Sequence, residues 1–225
     1  TVRSIIELFR QGRREIKRAA PTGRAARRLA ETAGMQAETL HRLLGFQAHQ
    51  GDFTRTRANP VEADLVIVDE VSMLDAPLAN ALLEALSDRC CLMLVGDEDQ
   101  LPSVGPGNVL GDLIATGALP VVRLTEIFRQ APSSLIVTNA HRLNHGHMPH
   151  LKPPEGVTDP DFFFIEREEP AQVIETIRTL VCERIPRKFG LDPKSEIQIL
   201  TPMRKGELGV EALNALLKQW INVQP

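Results

Sequence analysis

Leu65-Val66-Ile67-Val68-Asp69-Glu70 is the stretch on which the reading of this sequence turns. Four aliphatic residues without a polar break fit a strand covered on both faces, as in a parallel sheet. The two carboxylates that follow then emerge at its C-terminal end, the edge where open α/β sheets bind ligands. Downstream, residues 77–86 carry helical spacing, and residues 91–95 form a second aliphatic run. That run closes into Gly96-Asp97-Glu98-Asp99-Gln100-Leu101-Pro102-Ser103-Val104-Gly105. Strand, helix and strand in this order imply parallel strands joined by a crossover helix. The expected fold class is α/β, a parallel sheet with flanking helices.

The chemistry follows from the strand ends. Asp69 can hold Mg²⁺, directly or through water, beside nucleotide phosphates, and Glu70 can orient or deprotonate an attacking water. An amide such as Gln100, carried on the turn after the next strand, can bond a γ-phosphate and register its loss. Each piece alone is commonplace, since acids end many strands and Gly, Asp and Pro make turns everywhere. Set about 25 residues apart with a helix between, the two together are far more specific.

Working outward, residues 1–11 place apolar side chains at Val2, Ile5, Ile6, Leu8 and Phe9, a helical spacing that opens without a capping residue. An uncapped start suggests that the chain begins inside a longer one. Residues 23–33 read as a second helix and 39–44 as a short third. Residues 145–161, rich in Pro, Gly and His, read as a linker or long loop. After them come an expected strand at 162–165, a helix at 170–184, a strand at 196–200 and a helix at 209–221. A domain boundary is expected between residues 122 and 150.

Composition is that of an ordinary globular chain: 225 residues, 43% hydrophobic, 24% charged, net charge −3. Arg and Lys crowd the first 60 residues, a local excess that could serve a phosphate backbone or simply solvate a helix face. No apolar run reaches the roughly 18 to 20 residues of a membrane span, and no secretory opening is present, so a cytoplasmic chain without membrane contact is expected. Cys90, Cys91 and Cys182 lack zinc spacing, and the adjacent Cys90 and Cys91 read as small core residues.

Several segments carry a family resemblance. Ala20-Pro21-Thr22-Gly23-Arg24-Ala25-Ala26 resembles motif Ia of RecD-like superfamily-one DNA helicases, the exodeoxyribonuclease V alpha subunit type, and Thr39-Leu40-His41-Arg42-Leu43-Leu44 resembles their motif Ib. Asp69-Glu70-Val71-Ser72-Met73 looks like their Walker B motif, and Gly96 to Gly105 like motif III. Leu124-Thr125-Glu126-Ile127-Phe128-Arg129-Gln130 is similar to motif IV, continued by Asn139-Ala140-His141. Thr201-Pro202-Met203-Arg204-Lys205-Gly206 matches a segment of the second motor domain. The resemblance runs through nearly the whole chain in family order.

It implies two RecA-like P-loop NTPase domains, the first over residues 1–122 and the second begun at 123–225, and an ATP- and Mg²⁺-dependent motor on single-stranded DNA. By resemblance Asp69 binds Mg²⁺, Glu70 activates the lytic water, Gln100 senses the γ-phosphate and Arg129 is an arginine finger worth ~10³ to 10⁵ in rate. Pro21, Thr22, Gly23 and Arg24, with Thr39 and His41, line the DNA path; backbone N–H groups at a helix start are apt receivers of phosphate. The implied polarity is 5′-to-3′, in recombination or repair, either alone or with exonuclease V type partner subunits.

Three departures accompany the resemblance. No GxxxxGK[ST] loop occurs in the sequence, and residues 1–11 look like the helix that follows it, so the chain is expected to be an internal stretch, inactive by itself. Motifs V and VI are also absent, so the second domain is expected to be incomplete. Arg13-Arg14-Glu15-Ile16-Lys17-Arg18 stands where the family carries an aliphatic strand.

Other readings compete. A DNA-end-processing nuclease would use Asp69, Glu70, Asp97 and Asp99 as metal ligands, but no ExK-type lysine accompanies them. A non-enzymatic DNA-binding fragment is a third reading. His141, His145, His147 and His150 could bind metal only if a Gly- and Pro-rich loop folded around them. Phe162-Phe163-Phe164 could stack bases, although such a run before a helix is more often core, as Trp220 is expected to be.

Overall fold

The computed structural model describes residues 2–124, 134–153 and 159–222. The chain divides into two compact units, Thr1–Ile127 and Phe128–Pro225. In chain order the first contains α1 (Val2–Gln11), β1 (Ile16–Ala20), α2 (Gly23–Ala33), β2 (Glu38–Thr39), α3 (Leu40–Leu43), β3 (Phe46–Gln47) and β4 (Asp52–Phe53). There follow β5 (Leu65–Val68), a 3₁₀ turn (Val71–Met73), α4 (Ala76–Glu84), β6 (Cys91–Leu94) and α5 (Val109–Ala115). Four strands pair in the order β2-β1-β5-β6, all parallel, while β3 and β4 form a separate antiparallel hairpin.

Strand β5 centres the core because all four of its side chains are aliphatic, and each is at most 2% exposed. Alternation along a strand sends successive side chains to opposite faces. Leu65 and Ile67 pack with Ile6 and Phe9 of α1, while Val66 and Val68 join Leu40, Leu78 and Leu82 on the other face. Helices therefore cover both faces of the sheet, as the aliphatic run implies. Burying each such side chain is worth roughly 1.5–3 kcal/mol. Helix α4 starts at Ala76 because Asp75 caps it, its carboxylate accepting from Leu78 N at 2.9 Å.

The charged residues 13–18 hold a finding that the amino-acid pattern hides. Strand β1 is there, and it lies inside the sheet, paired in register with β5 from Ile16↔Leu65 to Ala19↔Val68. Its charges have partners. Lys17 reaches Glu15 at 2.9 Å, and the buried Arg18 donates from Nε to Gln36 O at 2.9 Å. Burial and the nearby Arg10 charge push the Arg18 guanidinium below its usual range. The cysteines are less enclosed than expected: Cys90 is half-buried and Cys91 exposed.

The second unit contains α6 (Leu135–Asn144), α7 (Pro170–Thr179) running through a π turn (Leu180–Arg184) into α8 (Ile185–Phe189), and α9 (Val210–Ile221). Ser134 caps α6, and Asp161 crosses to the same helix start, accepting from Leu135 N at 2.8 Å and Ile136 N at 3.3 Å. The Ser134 hydroxyl that donates to Asp161 holds this carboxyl below its usual range. Asn139 is buried and exchanges two hydrogen bonds with the backbone of His150, folding the His-rich loop back onto α6. The strands expected at 162–165 and 196–200 do not form. Among the described residues of this unit no ladder partner faces them, and an unpaired strand cannot satisfy its backbone. Phe163 and Phe164 are accordingly exposed rather than core, and Trp220 is half-buried. Among the described residues no helix is long and apolar enough to cross a membrane.

Candidate functional site

Parallel register decides what meets at the C-terminal edge of the sheet. Ala20 pairs with Thr39, Ala19 with Val68, and Val68 with Leu94. Every strand therefore ends at the same level, and four segments leave side by side. Along the order β2-β1-β5-β6 they are Thr39 with His41, Pro21 to Arg24, Asp69 with Glu70, and the loop from Gly96 to Gly105.

The first two segments open helices. Thr22 caps α2 by accepting from Ala25 N at 3.3 Å, and Thr39 caps α3 by accepting from Arg42 N at 3.2 Å. Both threonines thus hold a helix start in addition to the DNA role expected of them. They are neighbours in space: a Cβ added at Gly23 would lie 4.0 Å from Thr39 Cγ2. Arg24 and His41 are exposed.

His41 leads to two residues that the sequence pattern did not disclose. Its ring meets Phe46 edge-on with centroids 5.3 Å apart and Phe53 at 5.9 Å, and the two phenylalanines face each other across the β3–β4 hairpin at 5.1 Å. Phe46 is 40% exposed. Two-residue strands are too short for periodicity to reveal them; the spacing of Phe46 and Phe53 around Gly51, which turns at φ 71°, was the available signal.

At the centre, Asp69 and Glu70 are half-buried. Asp69 N donates to Ala19 O at 3.0 Å, fixing the carboxylate to β1, and Asp69 Oδ1 accepts from Glu70 N at 2.9 Å. Glu70 sits in the left-handed region at φ 55°, ψ 43°. A non-glycine residue there costs about 1–3 kcal/mol, and such strain gathers at functional sites. Two adjacent carboxylates supply the hard oxygen donors that Mg²⁺ takes, with Asp69 Oδ2 the oxygen turned from the internal bond.

The loop after β6 is tied to this turn. Val71 N donates to Val95 O at 3.0 Å, and a Cβ at Gly96 would lie 3.1 Å from Val71 N and 3.2 Å from Ser72 N, so only glycine fits without displacement. Ser72 Oγ is buried there and, among the described residues, has no hydrogen-bond partner. Gln100 is exposed, and its Nε2 donates to Asp97 Oδ2 at 3.3 Å. Farther along, Pro106 O accepts from Ala76 N at 2.8 Å, laying the loop over the start of α4. Arg129 lies outside the described residues, as do Thr125 to Gln130 and so most of the motif IV resemblance.

Comparison with known proteins points one way. The family described as AAA domain matches residues 1–106. The ATP-dependent RecD2 DNA helicase of Deinococcus radiodurans is 37% identical over 222 residues, covering 99% of this chain and 28% of that protein. The RecBCD enzyme subunit RecD of Mycolicibacterium smegmatis is 31% identical, covering 90% of this chain and 41% of that subunit. This chain thus spans less than half the length of these relatives. Among solved structures, the Pif1 helicase from Candida albicans superposes with a TM-score of 0.50 at 27% identity, over 78% of this chain and 46% of that one. Its parallel sheet and flanking helices are of the RecA-like type, and over most of its length the chain is similar to RecD-type DNA helicases.

Proposed function

We propose that this chain supplies the water-activating and phosphate-sensing half of an ATP-driven motor that moves 5′-to-3′ along single-stranded DNA. One observation carries the reading. Adjacent parallel strands β5 and β6 deliver an acidic pair and a glutamine-bearing loop to one sheet edge, where the Val71–Val95 hydrogen bond joins them. Next to them, on β1 and β2, stand the helix starts at Thr22 and Thr39 that would take DNA phosphates.

In this reading Asp69 holds Mg²⁺, which would neutralise charge on the nucleotide phosphates, while Glu70 orients the attacking water and accepts its proton. Gln100 exchanges its internal bond to Asp97 for one to the γ-phosphate. Arg129 completes the site by stabilising transition-state charge. Exposed Phe46, supported by Phe53 and His41, offers a face on which a DNA base stacks, an interaction worth about 1–3 kcal/mol per base. The motor acts in recombination or repair in the cytoplasm, alone or with exonuclease V type partner subunits. Residues 1–225 alone, which hold no GxxxxGK[ST] run, are on this reading inactive as an ATPase.

The test is Glu70→Gln in the full-length protein. Binding of ATP and DNA should persist while DNA-stimulated hydrolysis falls about 100-fold or more, the scale of a lost general base. Near-normal turnover of that variant would remove Glu70 from its role.

A further inference from the structure

Among the described residues one buried side-chain oxygen has no hydrogen-bond partner, the hydroxyl of Ser72. Ser72 is 9% exposed and sits in the 3₁₀ turn that follows the two carboxylates. A hydroxyl kept from water without a bond weighs against the state that holds it, by roughly 5- to 150-fold in an equilibrium. Two residues earlier Glu70 holds its left-handed φ of 55°. Two local costs thus meet in one short turn beside the acidic pair. An unmet buried group calls for an explanation. Packing gives none, because alanine would fill the same place without leaving a donor unmet.

The segment that lies against Ser72 is the one leaving β6. A Cβ on Gly96 would stand 3.2 Å from Ser72 N and 2.9 Å from Leu110 Cδ2, so this glycine passes between the turn and α5. The loop it opens is anchored at both ends, from Val71 N to Val95 O at 3.0 Å and from Ala76 N to Pro106 O at 2.8 Å. Between the anchors Asp97 to Pro102 are exposed, and Gln100 spends its amide on Asp97 within the same loop. Movement of that exposed middle is passed to Gly96, and so to the backbone beside Ser72.

We propose that Ser72 is a positioning residue that gives the site its preference for a triphosphate over a diphosphate. The proposal rests on the motor reading. When Gln100 leaves Asp97 for a γ-phosphate, the Gly96–Asp97 segment shifts and the Ser72 hydroxyl donates to one of its carbonyls. That bond holds the loop in the phosphate-sensing position. A diphosphate gives Gln100 nothing to take, and the hydroxyl stays unmet. Ser72 itself touches no nucleotide.

The experiment is Ser72→Ala in the full-length protein, titrated calorimetrically in Mg²⁺ with the non-hydrolysable analogue AMP-PNP and, separately, with ADP. AMP-PNP should bind about 5- to 10-fold more weakly than it binds the parent, at the low end of coupling between sites. Affinity for ADP should change by less than about twofold. Thermal melting without nucleotide should be no lower than the parent's, because the substitution removes an unmet group and no bond. Equal AMP-PNP affinity in variant and parent overturns the proposal, as does an equal loss for both nucleotides. A variant that melts clearly lower, or does not fold, overturns it too, since the hydroxyl would then be bonded without nucleotide. In each of these cases a parent that binds both nucleotides leaves the motor reading standing. A parent that binds neither overturns the motor reading itself, and the role of Ser72 with it.

Discussion

Strands β1 and β5 lie side by side in register, yet one reads Ile-Lys-Arg-Ala-Ala and the other Leu-Val-Ile-Val. The same position in a sheet has been filled in two ways. In β5 water is excluded by aliphatic surface on both faces, and stability comes from area. In β1 the small residues Ala19 and Ala20 are fully buried, while the longer side chains end on partners: Lys17 on Glu15, Arg18 on the Gln36 carbonyl. A buried charge is tolerated when its hydrogen bonds are met. Charge in a sequence therefore argues against an unpartnered interior strand, not against an interior strand.

Substitutions at three positions would break or sharpen that contrast. Ile67→Ala in β5 should cost about 2–5 kcal/mol, since it opens a cavity between α1 and the sheet, and chemical denaturation would measure it. A loss below about 1 kcal/mol would mean that β5 is not the centre of packing. Arg18→Ala in β1 should cost about 2 kcal/mol, by removing a charge-assisted bond and stranding the Gln36 carbonyl. Arg18→Met, which keeps the apolar stem, should recover part of that loss; if Met were as poor as Ala, the stem would contribute nothing. Lys17→Gln, which touches only a partly exposed pair, should move stability by no more than about 0.5 kcal/mol. Were Lys17 to matter more than Arg18, the account of β1 would be inverted.

The same contrast explains what could be read in advance. Leu65–Val68 was legible because an unbroken aliphatic run fits a strand covered on both faces, and its carboxylates gained meaning only from the glutamine-bearing loop one strand later. The convergence of residues 21–24, 39–41, 69–70 and 96–105 on one edge follows from strand ends alone, once the strands are parallel. β1 carries no strand pattern of its own, only a place in the family order, because its partners, Glu15 and the Gln36 carbonyl, are supplied by tertiary structure. Phe46 and Phe53 escaped because their strands are two residues long, and the left-handed turn at Glu70 because no side chain announces it. Residues 162–165 and 196–200 misled in the opposite sense: their patterns suit strands, but a strand depends on what lies beside it.

At Gly96 there is no slack. The backbone after β6 lies against the amides of Val71 and Ser72, with a hydrogen bond from Val71 to Val95 closing the seam. Two bodies meshed so closely turn like paired gears. Whatever rotates the strained Glu70 corner must drag the glycine-led loop, and whatever pulls on that loop must turn the carboxylate.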